Sequence, residues 1–297
     1  MERVVESAVR LRKARKNGLM YDVVRRFKKN KLAVAALILF LLFVAMAVFA
    51  DVLFDYETTV IGQDVVNRLQ PPSRAHPLGT DAYGRDMLAR LVHGSRLSLF
   101  IGLTTVLIAF VAGTIIGAVS AYFGGLVDII LMRIMDVFLA IPPILLAIAI
   151  VSSLGPGLRN LIIALSISSI PGFARIVRVS VLSIKGQEFV EASLASGSGH
   201  LRIIFEDIIP NIIGPVIVQA TLQVAVMILS AASLSFIGLG VQPPQPEWGS
   251  MLAEGRRYMR QNFSVILYPG MFIVTAVLSL NLLGDGLRDA LDPRLKD

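Results

Sequence analysis

The side chains best able to do chemistry cluster in one polar stretch, EFVEASLASGSGHLRIIFEDIIPN, which runs from Glu188 to Asn211. It carries four acidic residues and His200, and it lies between long apolar runs. Its apolar residues recur at helical spacing, and a Gly-Ser-Gly beginning at Gly197 interrupts them, because glycine weakens a helix interior. We therefore expect two short helices with a bend between them, and Pro210 in the first turn of the helix that follows.

Composition excludes most catalytic chemistry for this chain. It has no cysteine, which excludes disulfides, thiolate metal sites and thiol nucleophiles. Its three histidines, His76, His93 and His200, are scattered along the sequence, and no Ser/His/Asp set is recognisable. The GxxxxGKS/T pattern of a phosphate-binding loop does not occur. The sequence therefore predicts a protein that is not an enzyme and that holds no metal and no cofactor of its own.

The elements that must position the polar stretch are membrane helices. The chain has 297 residues, 55% of them hydrophobic and only 16% charged, against about a quarter charged in soluble domains. About 20 apolar residues cross a bilayer as a helix. The sequence thus predicts an all-α polytopic membrane protein with six transmembrane helices. The predicted spans are Leu32–Ala50, 97–127, Ile134–Leu154, Leu158–Ile176, one within 208–246, and Phe263–Gly284. The adjacent prolines at Pro142 should bend the third of them.

The distribution of positive charge predicts the orientation of these spans. Residues 1–31 carry 11 Lys and Arg against three acids, and an apolar run of 19 residues follows. A basic block before such a run is typical of the cytoplasmic flank of a first membrane helix, which we favour over a nucleic-acid-binding arm. A secretory signal is disfavoured because its apolar region is shorter, roughly 7–15 residues. Both termini and the loop at 183–210 are then cytoplasmic, and the cytoplasmic pieces hold 19 Lys and Arg against 9 outside.

The polar stretch resembles the cytoplasmic coupling loop, the EAA loop, of ABC importer permeases. The residues that stand at the family's spacing are Glu191, Ala192, Ser193, Gly197 and Pro210. Ser193 replaces the second alanine, and Asp207 stands where the family has isoleucine. HPLGTDAYGRDMLARLVHGSRLSL from residue 76, SLSFIGLG from residue 233 and NLLGDGLRDALDPRLK from residue 281 resemble the dipeptide/oligopeptide/nickel branch, and within it the C-type permease subunit.

This resemblance implies an importer permease of the type I fold, with one added N-terminal helix. The implied divisions are a cytoplasmic segment at 1–31, a first helix and extracytoplasmic amphipathic segment at 32–96, a five-helix core at 97–285 and a cytoplasmic tail at 286–297. The implied function is uptake of di- and oligopeptides through the plasma membrane of a prokaryote.

The resemblance also implies the partners. They are a second permease subunit in a heterodimer, two ATPase subunits that hold ATP and Mg²⁺, and an extracytoplasmic substrate-binding protein; the lipid bilayer surrounds the chain, and no nucleic acid is expected. The residues implied in coupling to the ATPase are Glu191, Ala192, Ser193, Gly197, His200 and Pro210.

Polar residues inside the predicted spans are candidates for the transport pathway. Gln219 and Gln223 lie four apart on the fifth span, and Asn281 lies on the sixth. Such groups face protein or a water-filled cavity, so they either line the pathway or form hydrogen bonds between helices.

Charged residues predict three further contacts. Arg133 and Asp136 are three apart and can pair on one helix face. Between residues 81 and 91, the pairs Asp81/Arg85 and Asp86/Arg90 have the i,i+4 spacing that supports an amphipathic interfacial helix.

Alternative functions remain open at this point. The same machinery handles nickel complexes or oligosaccharides in similar permeases. A different class of protein, either a stand-alone secondary transporter or a membrane scaffold, is also compatible with six spans. A secondary transporter should show inverted repeats and buried coupling charges, neither of which is clear in this sequence.

Overall fold

The computed structural model describes residue 21 and residues 23–291, and in that part of the chain the regular elements are all helical. The basic block before residue 21, and residues 292–297 of the predicted tail, fall outside the described residues. The main helices are α1 (Lys31–Val48), α2 (Met87–Phe123), α3 (Gly125–Leu139), α4 (Pro143–Leu154), α5 (Leu158–Ile184), α6 (Glu188–Ala195), α7 (His200–Phe236), α8 (Trp248–Gly255) and α9 (Ser264–Leu291). Helical turns lie at Ala50–Leu53, Tyr56–Val60, Val65–Asn67 and Arg256–Tyr258.

Within residues 23–291, five helices are long and apolar enough to cross a membrane: α1, α2, α5, α7 and α9. The pair α3 and α4 makes a sixth span if the two are counted together, and they meet at an angle of 83°. The predicted bend at Pro142 is therefore confirmed. It occurs there because a proline removes a helix donor and its ring clashes with a preceding carbonyl.

The connections of α7 define the two ends of the bundle. The helix α6 joins α5 to the start of α7, and α8 joins the end of α7 to α9. Since α7 has 37 residues, these two connections lie roughly 55 Å apart. We call them the α6 end and the α8 end.

Small residues let α2 and α5 approach closely. A Cβ added at Gly113 of α2 would lie 2.4 Å from the Cβ of Phe173, and one added at Gly117 would lie 2.4 Å from the carbonyl oxygen of Ala174. Neither distance is compatible with a side chain, so the glycines set the separation of the helices. Membrane helices are held together by such packing, because lipid is as apolar as their side chains.

The amphipathic helix predicted between residues 81 and 91 is wrong in its first half. Residues 81–86 form turns, with φ +76° at Gly84, and α2 begins at Met87. The carboxylate of Asp86 caps α2 by accepting the N–H of Ala89 at 2.8 Å.

The predicted boundary after residue 96 lies inside α2, and the predicted boundary after residue 285 lies inside α9.

The charges of this segment form a buried cluster at the α8 end. Arg85 donates to Asp81 at 2.6 Å and to Glu254 of α8 at 2.6 Å. Arg90 also bonds to Asp81, and it lies 2.8 Å from Glu254 rather than pairing with Asp86 as predicted. Both arginines are almost fully buried, and Nε and Nη2 of Arg90 have no hydrogen-bond partner among the residues that the structure describes. The predicted Asp86–Arg90 pair fails because α8 brings a carboxylate to Arg90.

Glu247 caps α8, and Trp248, the first residue of α8, holds it against α2. Glu247 accepts the N–H groups of Gly249 and Ser250, both at 2.9 Å, and so caps α8. Burial raises the pKa of the Glu247 carboxyl above its ordinary value. The indole of Trp248, fully buried, donates to the carbonyl of Leu91 on α2 at 3.1 Å.

The acidic residues of α3 pair with α5. Asp136 accepts a hydrogen bond from Arg175 at 2.6 Å, so the predicted Arg133–Asp136 pair is wrong. Asp128 accepts two bonds of 2.6 Å from Arg178. The sequence could show only neighbours on α3, whereas the fold places α5 alongside, and α5 extends to Ile184, well beyond the predicted span end at residue 176.

Candidate functional site

The stretch at 188–211 forms an exposed elbow at the α6 end. The helix α6 ends at Ala195, and α7 begins at His200, so the predicted pair of helices with a bend between them is confirmed. The N–H of Ser198 donates to the carbonyl of Ser193 at 3.1 Å, and that of Gly197 donates to the carbonyl of Leu194 at 3.0 Å. These two bonds define a Schellman motif, in which the residue in the left-handed region is usually glycine. Gly197 has φ +80°.

The two faces of α6 differ. Val190 is buried and holds the helix to the bundle, whereas Glu191 and Ala192 are exposed. The carboxylate of Glu191 lies near the N-terminus of α6, where the helix dipole favours negative charge. Ser193 is half-buried, and its carbonyl also accepts the hydroxyl of Ser196 at 2.9 Å. The outer face therefore offers a small acidic surface to another molecule.

His200 fixes the second half of the elbow to α2. Its Nδ1 lies 2.8 Å from the hydroxyl of Tyr122, and its ring packs edge-on against Tyr122 and Phe123. Lys185, just after α5, donates to the carbonyl of Ala121 at 3.1 Å. Both sides of α6 are thus tied to the end of α2, which limits how far the elbow moves relative to the spans.

Pro210 lies on α7 just beyond a π-helical segment, Ile203–Ile208. Regular α-helical geometry begins at Ile209, so Pro210 lies in the first turn of the α-helical part of α7, as predicted. The preceding residues of α7, from His200, are also helical. Asp207 is half-buried, whereas Ile208 is fully buried. The apolar contact is therefore made by the next residue rather than by the position at which the family has isoleucine.

A cavity of about 170 Å³ lies where α3 and α4 bend away from each other. Its polar lining comes from α5 and α7: Ser168, Ser169, Gln223 and Ser230. Gln223 is among the residues predicted from sequence, whereas the serines are not; their signal is a run of hydroxyl residues within an apolar helix.

The other two pathway candidates do not line this cavity. Gln219 lies one turn before Gln223 on α7, and Asn281 lies on α9. Within the described residues, none of these three amides forms a side-chain hydrogen bond, so the alternative of hydrogen bonds between helices finds no support there.

Comparison with known families accounts for almost the whole chain. Residues 96–297 match the model described as "Binding-protein-dependent transport system inner membrane component". Residues 18–72 match the "N-terminal TM domain of oligopeptide transport permease C".

Curated relatives cover similar lengths. The dipeptide transport system permease protein DppC of Alkalihalophilus pseudofirmus is 46% identical over 93% of this chain and 90% of its own length. The di/tripeptide transport system permease protein DppC of Pseudomonas aeruginosa is 46% identical over 91% of each chain. The glutathione transport system permease protein GsiD of Pectobacterium atrosepticum is 44% identical over 92% of this chain and 90% of its own.

Among solved structures, a chain of the MetNI methionine ABC transporter in an inward-facing conformation aligns with a TM-score of 0.56. It covers 69% of this chain and 97% of the other at 22% identity, which is evidence for the fold alone. The prediction of an ABC importer permease with an additional N-terminal helix is confirmed by these matches together. This chain belongs to the family of binding-protein-dependent transport system inner membrane components, within its dipeptide and oligopeptide C-type permease branch.

Proposed function

We propose that this chain forms half of the membrane pathway of an ATP-driven importer for di- and oligopeptides. The observation that carries the substrate class is the 46% identity, over nearly the full length, to permeases named for dipeptides and di/tripeptides. A family permease contributes transmembrane helices, and the sequence of this chain has no phosphate-binding loop. ATP and Mg²⁺ accordingly bind to partner subunits in this proposal.

The proposed complex contains a second permease subunit, two ATPase subunits and an extracytoplasmic binding protein. The basic N-terminal block sets the orientation in the prokaryotic plasma membrane by the positive-inside rule, with both termini cytoplasmic. The α6 end then faces the ATPase subunits, and the α8 end faces the binding protein.

In this arrangement α6 transmits the movement that ATP hydrolysis causes in the ATPase subunits to the helices of the membrane pathway. The exposed Glu191 and Ala192 form its contact face, and a basic group of the ATPase is the chemical partner that a carboxylate would bind. The cap at Gly197 and the His200–Tyr122 contact make the elbow short and anchored. Closure of two ATPase subunits on ATP would move it as a rigid body.

The pathway passes beside the bend between α3 and α4 in this proposal. Its support is the cavity lined by Gln223, Ser168 and Ser230, since these are polar groups at the depth of the membrane-spanning helices. Alternating exposure of this cavity to the two sides would carry the peptide inward.

Transport by the reconstituted complex tests the proposal. The chain is co-expressed with candidate genes for the second permease, the ATPase subunits and the binding protein, and proteoliposomes are loaded with ATP and Mg²⁺. We expect uptake of radiolabelled alanyl-alanine that requires both ATP and the binding protein. Uptake of a nickel complex or an oligosaccharide, without uptake of the dipeptide, would show that the substrate belongs to that other class. Uptake driven by an ion gradient without ATP would identify a secondary transporter instead, and no uptake of any solute would favour a scaffold.

Glu191→Lys tests the coupling role in the same vesicles. Reversal of this charge should reduce co-purification of the ATPase together with peptide uptake, while the binding protein still holds its ligand. Glu188→Lys, in the same first turn of α6 and equally exposed, is the matched control. Equal and complete coupling in both variants would show that Glu191 does not contact the ATPase.

A further inference from the structure

A second, larger pocket lies at the α8 end, far from the cavity beside α3 and α4. Its volume is about 500 Å³, within the range of small-molecule sites. The walls combine three aromatic residues, Tyr83, Phe236 and Tyr258, with the exposed amide of Gln242. The lining is at least as polar as it is apolar, which suits a charged ligand that carries an apolar side chain.

Two arginines on this pocket carry unpaired positive charge. Arg256 and Arg257 both line it, both are exposed, and neither forms an ion pair with any described residue. The guanidinium of Arg256 lies over the ring of Phe236 at 5.2 Å. A guanidinium held by its face keeps its N–H edge free, and that edge binds a carboxylate through two parallel hydrogen bonds.

The one acidic residue of the lining does not cancel this charge. Glu254 receives Arg85 at 2.6 Å and Arg90 at 2.8 Å, so its carboxylate is already neutralised from the protein side. Arg85 is in turn covered by the ring of Tyr83 at 4.6 Å. The buried cluster therefore makes one wall of the pocket rigid. The electrostatic potential inside the pocket is then determined by Arg256 and Arg257.

We propose that this pocket binds the C-terminal carboxylate of an incoming peptide through Arg256 and Arg257, with the aromatic walls covering the terminal side chain. This inference rests on the proposed function, because it places a peptide site at the end of α7 that faces outward in that proposal. The shared chemistry is an anionic group beside an apolar body, which an anionic phospholipid also possesses. The volume of about 500 Å³ suits a body of dipeptide size, which favours the peptide over a lipid with two acyl chains.

Photo-crosslinking of a dipeptide to the assembled complex tests the site without the binding protein. The probe is alanyl-photoleucine, compared with its C-terminally amidated form, on complexes in phosphatidylcholine nanodiscs. We expect labelled residues between 236 and 258, and about tenfold less labelling by the amide, because a hydrogen bond to a charged group contributes on the order of 1.5–3 kcal/mol. The double variant Arg256→Gln/Arg257→Gln should show the same loss. Arg260→Gln, an exposed arginine that does not line the pocket, should label as the unmodified chain does.

Each other outcome overturns the inference. Equal labelling by the free and amidated probes shows that the carboxylate is not recognised, and an equal loss in Arg260→Gln shows a diffuse charge effect. Abolished labelling when phosphatidylglycerol is added at a tenth of the lipid identifies a headgroup site. If the unmodified complex imports peptide and the variant without the two arginines is labelled as strongly as the unmodified chain, this inference fails while the proposed function stands. If it imports no peptide at all, the proposed function fails with it.

Discussion

The hydroxyl of Tyr122, at the end of α2, lies 2.8 Å from Nδ1 of His200, the first residue of α7. The two residues are 78 positions apart in the chain, and the polar elbow containing α6 is held between them and the end of α5. This contact ties a surface element to two membrane helices, so displacement of α6 is transmitted to α2 and α7 rather than absorbed by a flexible loop.

Removal of the Tyr122 hydroxyl should loosen the elbow without unfolding the protein. In Tyr122→Phe the ring contacts with His200 remain, and one hydrogen bond worth about 1 kcal/mol is lost. We expect amide hydrogen exchange at residues 198–203 to rise about fivefold. Tyr268→Phe is the control, since the Tyr268 hydroxyl has no hydrogen-bond partner within the described residues. Unchanged exchange in Tyr122→Phe would show that the ring packing alone holds the elbow.

At Gly197 the backbone conformation, rather than contact with neighbouring atoms, should determine which residues preserve uptake. In Gly197→Val a β-branched residue is placed at φ +80°, which costs about 1–3 kcal/mol, although no atom lies within 4 Å of the added Cβ. Gly199→Val introduces the same side chain, equally free of neighbours, at φ −66° and ψ 150°, which valine readily adopts. We expect ATP-driven peptide uptake to fall severalfold in the first variant only. Equal uptake by both would mean that the cap of α6 has no role in coupling.

The contact between α2 and α5 should not tolerate one added methyl group. In Gly113→Ala the new Cβ lies 2.4 Å from the Cβ of Phe173, so the helices must separate, at a cost of about 1–3 kcal/mol. Gly172→Ala, on the facing helix, meets no atom within 4 Å and should be neutral or slightly stabilising. Thermal unfolding midpoints of the detergent-solubilised complex measure the difference. A Gly113→Ala midpoint equal to that of Gly172→Ala would contradict this packing.

Loss of the Glu254 charge should destabilise the α8 end. In Glu254→Gln, Arg85 and Arg90 are left with Asp81 as their shared carboxylate, and breaking a buried ion pair costs about 3 kcal/mol. Glu57→Gln, an exposed residue without an ion pair among the described residues, serves as the control. We expect a lower unfolding midpoint and earlier proteolysis between residues 50 and 86 for Glu254→Gln alone. Equal midpoints in the two variants would show that Asp81 is sufficient to hold both arginines.

Local patterns in the sequence determined the helices, the bend and the elbow. Apolar runs of about 20 residues must form helices in a membrane, because lipid leaves backbone groups without other partners. Adjacent prolines from Pro142 interrupt a helix wherever it packs, and Gly197 can end one through a local hydrogen-bond motif. The residues implied in coupling, from Glu191 to Pro210, were recognisable by spacing alone, and their role stays a prediction.

Only the tertiary structure decided which charges pair and which polar groups share a cavity. Arg85 and Glu254 are 169 residues apart, and Asp136 meets Arg175 of another helix rather than Arg133 of its own. Spacing along one chain segment identifies neighbours on a helix, whereas ion pairs depend on which helices touch. The glycines of α2 illustrate the same limit, since Gly113 is an unremarkable glycine in the sequence until Phe173 lies against it. Such contacts depend on which distant elements pack against each other, because that packing determines both which helices approach closely and which charges are paired.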